Sequence, residues 1–142
     1  MKISPGLGTD LIAFGVTEFE VTKNLGMPDK AYLTDSNSSR LQYHELRVEL
    51  AFEPNDGNRL RWMTIHNPDA ELFDRKLIGH REIEVLNFLS MQIDEEPRVE
   101  DYGALLCVTY PSYRLELQFQ FGRLSCINIG IVKKPSLQSA LA

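Results

Sequence analysis

The 142-residue chain is 43% hydrophobic and 25% charged, with a formal net charge of −5. Those proportions predict a soluble globular protein with chain enough for one compact unit. The acidic balance argues against nucleic acid as a partner, as does the scatter of Arg40, Arg47, Arg59, Arg61, Arg98, Arg114 and Arg123.

The opening MKISPGLGTD sets Pro5 and Gly6 where a secretory segment would be apolar. Apolar runs such as Leu11 to Val16 are too short to span a bilayer, so a cytoplasmic location with no membrane contact is expected. The first regular element is a helix opening at Thr17. Glu20 lies three residues on, the capping-box spacing, and Val16 and Val21 stand at the two positions of a hydrophobic staple. Gly26 supplies the stop and Pro28 bars continuation. A helix of about two turns is unstable alone and must pack on a sheet.

Strand text follows. Val48, Leu50 and Phe52 alternate with Arg47, Glu49, Ala51 and Glu53, the period of two that marks one buried face. Asp56-Gly57 signals a hairpin turn. The returning strand, RLRWMTIHN, carries a conflict of parity: Leu60 and Trp62 share one face, Met63 and Ile65 the other. If Met63 faces the helices, Trp62 stands on the open face of the sheet. A bulge, or a sheet covered on both sides, would leave it in the core.

Asn67-Pro68-Asp69 breaks the chain before a second helix, HREIEVLNFLS. It keeps the apolar positions Ile83, Val85, Leu86 and Leu89 but has Arg81 in place of a cap, so its start should be less well fixed. Leu115, Leu117, Phe119 and Phe121 then alternate with Arg114, Glu116, Gln118 and Gln120, and the chain turns at Gly122. The tail KKPSLQSALA has no alternation and is expected to be disordered or a marginal helix.

The two halves are copies. A displacement of 64 residues puts Gly15 on Gly79, Glu20 on Glu84, Leu25 on Leu89, Arg59 on Arg123 and Leu60 on Leu124. It also sets Phe19 on Ile83 and Trp62 on Cys126; a displacement of 67 lays RVELAFE on RLELQFQ. The change of offset belongs in hairpin loops. The expected fold is α+β, a tandem duplication of an α-β-β-β unit over residues 1–67 and 68–142. Its sheets are antiparallel, the helices pack on one face, and the halves form one compact unit.

Motifs for chemistry are missing. His44, His66 and His80 lack metal-ligand spacing, and no nucleophile elbow or phosphate loop occurs. Cys107 and Cys126 lack a CxxC partner and are expected to be buried, inert thiols. Glu18, Glu20, Glu82 and Glu84 fall in helix first turns, where they favour the helix dipole. No catalytic, metal or cofactor-binding residue is therefore assigned. The outward polar strand positions and the single tryptophan remain: Trp62, Arg47, Glu49, Arg114, Glu116 and Gln118 are the candidate protein-binding residues.

The stretch FGVTEFEVTKNLGMPD, through Gly15, Thr17, Val21, Leu25, Gly26 and Pro28, resembles the unit that opens β-lactamase-inhibitory-protein-like and outer-membrane-assembly-lipoprotein-like folds of small bacterial proteins. The resemblance implies helices layered on an antiparallel sheet whose other face grips a protein partner. No signal peptide, lipid-modified cysteine or pair of disulfides like those of these proteins is expected from this sequence, so neither β-lactamase inhibition nor membrane assembly is expected to carry over. The expected function is a non-enzymatic, cytoplasmic protein-binding module of immunity or regulatory type, without a cofactor. A homodimer through an edge strand is compatible with it. The alternative is a small-molecule binder or enzyme with its site in the groove between the repeats.

Overall fold

The computed structural model describes residues 1–132, so the KKPSLQSALA tail lies outside the described residues. The first helix, α1 (Glu18–Leu25), starts as its cap dictates. Thr17 Oγ accepts a hydrogen bond from the Glu20 amide at 3.3 Å, and Gly26, at φ 84°, ends the helix with its N–H on Thr22. Replacing Thr17 with alanine removes that acceptor and is expected to cost about 1 kcal/mol in denaturant unfolding; an unchanged midpoint would contradict the capping role. The second helix, α2 (Glu82–Gln92), has no side-chain cap at Arg81 and is held instead by the buried side chains of Val85, Phe88 and Leu89. Phe19 and Ile83, the apolar pair matched by the repeat, both point to solvent.

Eight strands form one antiparallel sheet. The first half supplies β3 (Lys30–Leu33), β4 (Ser39–Tyr43), β5 (Val48–Glu53) and β6 (Arg59–Ile65). The second supplies β9 (Arg98–Asp101), β10 (Leu105–Tyr110), β11 (Leu115–Gln120) and β12 (Arg123–Gly130). The order is β3-β4-β5-β6-β12-β11-β10-β9, so the halves meet where β6 pairs with β12. The α+β class and the antiparallel sheet agree with the sequence. Each helix, however, is followed by four strands rather than three. The additions, β3 and β9, are the two edges; every residue in them is exposed, so no alternation marks them.

A second, four-stranded sheet, ordered β2-β1-β7-β8, has no counterpart in the sequence reading. It is built from β1 (Lys2–Ser4), β2 (Gly8–Thr9), β7 (Glu71–Leu72) and β8 (Arg75–Lys76), with β1 and β7 parallel. Its strands are too short to show a period, and Phe73 and Asp74 make their turn with positive φ.

A bulge settles the parity conflict. Ala51 pairs with Trp62 but Phe52 pairs with Leu60, which leaves Arg61 as the extra residue. Leu60 and Met63 can then both point inward, and both are fully buried. The second half repeats the device: Gln118 pairs with Cys126, Phe119 with Leu124, and Ser125 is extra.

The duplication recurs in hydrogen bonds. Arg59 Nη1 donates to the Gly15 carbonyl at 2.8 Å, and Arg123 Nη1 donates to the Gly79 carbonyl at 3.0 Å. The Gly15 and Gly79 amides in turn donate to the carbonyls of Leu60 and Leu124. One core joins both halves, with Leu50, Phe52, Met63 and Ile65 from the first and Leu117, Phe119, Ile127 and Ile129 from the second. Two assignments need correction. Phe121, read as an inward strand residue, is 86% exposed in a turn at φ 51°. Arg47 and Arg114 are not regular strand positions but left-handed turn residues, at φ 53° and 48°, that launch β5 and β11.

Candidate protein-binding face

Because the core takes one set of alternating positions, the other set lines the face turned away from the helices. One register row crosses all eight strands: Lys30, Gln42, Glu49, Thr64, Asn128, Glu116, Thr109 and Arg98. The row is polar throughout, with a cation at each edge and a carboxylate two strands in from each. Strand spacing puts Glu49 and Glu116 about 14 Å apart.

Each carboxylate is held by neighbours. Glu49 Oε1 accepts from the Tyr32 hydroxyl at 2.7 Å and from Gln42 Nε2 at 2.8 Å, while Arg40 stands 3.8 Å from Oε2. The hydrogen bond to Glu49 raises the Tyr32 phenol pKa above its usual value. Glu116 Oε1 accepts from Gln118 Nε2 at 2.9 Å and from Asn128 Nδ2 at 3.2 Å. These side chains are therefore held in place by neighbours on the same face.

Trp62 lies on this face, half-buried, across from Gly130. A Cβ added to Gly130 would come within 2.6 Å of Trp62 Cε3 and 3.2 Å of Arg114 Nε. The absent side chain thus lets the indole lie against the strand, with the Arg114 guanidinium beside it. The bulge expected to leave Trp62 in the core is present but acts the other way: it turns Leu60 and Met63 inward and leaves Trp62 half-buried on the open face.

Of the six candidate residues, the structure brings Trp62 together with Arg114, and Glu116 with Gln118. Glu49 joins neither pair; its neighbours are Tyr32, Arg40 and Gln42. Arg47 is exposed at a turn, where it lines a concavity of about 340 Å³ with Glu49, His44 and His66. Sequence reading missed Tyr32, Gln42 and Asn128. Asn128 carried a signal, since it is a polar residue between Ile127 and Ile129 in an otherwise apolar strand.

The thiols also need a correction, because only Cys126 is buried; Cys107 is half-buried. Gln118 separates them in the register, which puts them about 10 Å apart, beyond disulfide reach. Burial pushes the Cys126 pKa up to about 11 and raises that of Cys107 as well. A thiol reagent at pH 8 is expected to modify Cys107 first and Cys126 only slowly; equal rates would contradict this burial. For stability the sign follows from proton counts. The unfolded Cys126 ionises near its ordinary value of 9.0 while the folded thiol stays protonated to about 11, so folding weakens as pH rises through that window. Among the described residues, no group of three or more His, Cys, Asp or Glu side chains is placed to hold a metal ion.

No protein-family model matches the chain, and no curated protein matches it by sequence. Two solved structures are similar in fold. One is an extracellular protein containing an SCP domain from Bacillus anthracis str. Ames, with a TM-score of 0.55 and 9% identity. The match covers 82% of this chain but 43% of that one, so the chain spans less than half of that protein's length. The other is a DUF4309 family protein (YjgB) from Bacillus subtilis subsp. subtilis str. 168, with a TM-score of 0.54 and 14% identity over 89% of this chain and 88% of that one. At such identities the likeness concerns the fold alone.

Proposed function

We propose that the chain is a non-enzymatic protein-binding module that docks its partner on the open face of the eight-stranded sheet. The observation that carries this reading is the polar row across all eight strands, with Trp62 beside it. Side chains already ordered by Glu49 and Glu116 lose little freedom on binding, and a half-buried indole is a rigid anchor. The resemblance of the first helix to inhibitory-protein-like folds supports the same use of the sheet. With a net charge of −5, the module would associate fastest with a basic partner. The reading includes a cytoplasmic location and an immunity-type or regulatory role; the extracellular setting named for one structural neighbour belongs to that protein.

Capture from native lysate tests the reading, comparing the wild-type chain with Trp62→Ala and Glu49→Arg. A protein retained by the wild type and lost by both variants is the expected result; equal retention would remove this face.

A second reading, a small-molecule site or an enzyme, draws on the concavity at Arg47, Glu49, His44 and His66. At about 340 Å³ it is at the small end for ligand pockets, and it lies within the first half rather than in a groove between halves. A thermal-shift screen that finds a ligand whose effect vanishes in His66→Ala would favour it.

A further inference from the structure

We propose that two copies of this chain join edge to edge through β9, in one register, as a two-fold dimer with a continuous sheet. The proposal goes beyond the partner-binding reading and does not depend on it.

Among the described residues no strand pairs with the outer side of β9, and all four of its residues are exposed, Val99 at 55%. Its backbone phase follows from the turn that follows it. The Tyr102 amide donates to the Leu105 carbonyl, so in this antiparallel ladder Glu100 and Arg98 aim their backbone groups inward at β10. Val99 and Asp101 consequently present N–H and C=O groups outward. Those groups are what an incoming strand pairs with.

The side chains choose the strand. Arg98 and Glu100 lie opposite Thr109 and Cys107, on the open face, whereas Val99 lies opposite the buried Val108, on the helix side. A two-fold axis perpendicular to the sheet keeps each face on its own side, so only registers that match parity are allowed. With the axis at Val99, valine meets valine on the helix side and Arg98 meets Glu100 of the partner subunit, twice, on the open face. The register one step further sets Glu100 against the partner's Glu100, and the register one step back sets Arg98 against the partner's Arg98. Both are repulsive. Tyr102 donates to the Glu100 carboxylate and so holds it at the edge.

Charges on an edge strand usually repel other strands. Here the R-V-E spacing repels most strands and fits its own copy. The other edge, β3 (Lys30–Leu33), has one charge, so no register of it against its own copy pairs opposite charges.

Sedimentation equilibrium of the full chain, from micromolar to about 1 mM, tests the proposal. The expected result is a reversible shift from the 16.2 kDa monomer toward twice that mass. Arg98→Glu, which sets glutamate against glutamate, should raise the dissociation constant about tenfold or more, and the exchange Arg98→Glu with Glu100→Arg should restore it. Unchanged circular dichroism in the variants keeps folding out of the comparison. A monomer throughout would overturn the dimer. A dimer indifferent to Arg98→Glu would overturn this edge and register, and a mass that grows past two copies would point instead to β3 against β9 in an open chain.

Discussion

Phe119→Ala should lower the unfolding free energy by about 3–5 kcal/mol, while Phe121→Ala should change it by less than about 0.5 kcal/mol. In the sequence the two phenylalanines are equivalent members of one alternating set. In the structure Phe119 is 1% exposed, pairs with Leu124 across the β-bulge and stands in the core shared by both halves. Truncation there leaves a cavity that the sheet can close only in part. Phe121 sits two residues on, at positive φ, with its ring in water. Denaturant unfolding of both variants checks the contrast, and equal losses would mean that the end of β11 is wrongly placed.

The second large effect concerns Gly130. Alanine there would put a methyl group 2.6 Å from the Trp62 indole, closer than carbon atoms pack, so the ring must move. Overpacking of this kind costs about 1–3 kcal/mol. The Gly130 backbone does not need glycine's left-handed freedom, so contact rather than strain is the cause, and removing the ring should remove most of the cost. A double-mutant cycle with Trp62→Ala therefore has a predicted sign: the double variant is more stable than the sum of the single effects implies. Trp62 is the only tryptophan, so its emission reports the displacement directly; the maximum should shift to longer wavelength in Gly130→Ala. Additive effects and an unmoved spectrum would contradict the packing of indole on glycine.

What the sequence could reveal depended on how local each signal was. The start and stop of α1 were legible because Thr17, Glu20 and Gly26 act within two turns. The alternation in β5 and β11 was legible because one face is buried along most of each strand. The edges β3 and β9 bury neither face, and the small sheet joins residues 2–4 to residues 71–72 through very short pairings, so neither leaves a pattern. The parity conflict at Trp62 left an open-face tryptophan and a bulge or doubly covered sheet as rival readings; the pairing of Phe52 with Leu60 shows a bulge at Arg61 together with an outward Trp62. The candidate face followed the same rule. Trp62, Glu49, Glu116 and Gln118 were found by parity, whereas the side chains that hold them come from other strands and turns. Tyr32 reaches Glu49 from the edge, Asn128 reaches Glu116 from the adjacent strand, and Arg114 comes to Trp62 from the turn that starts β11. Those meetings are set by strand order, which local patterning does not encode.

Titrating a captured partner against variants of each face decides whether the open face or the helix side receives it. Glu116→Arg, two strands in from the β9 edge of the polar row, should weaken binding about tenfold or more. Phe19→Ala and Ile83→Ala, exposed on the two helices, should leave it unchanged. Full affinity in Glu116→Arg together with loss in the helix variants would move the site to the opposite side of the molecule.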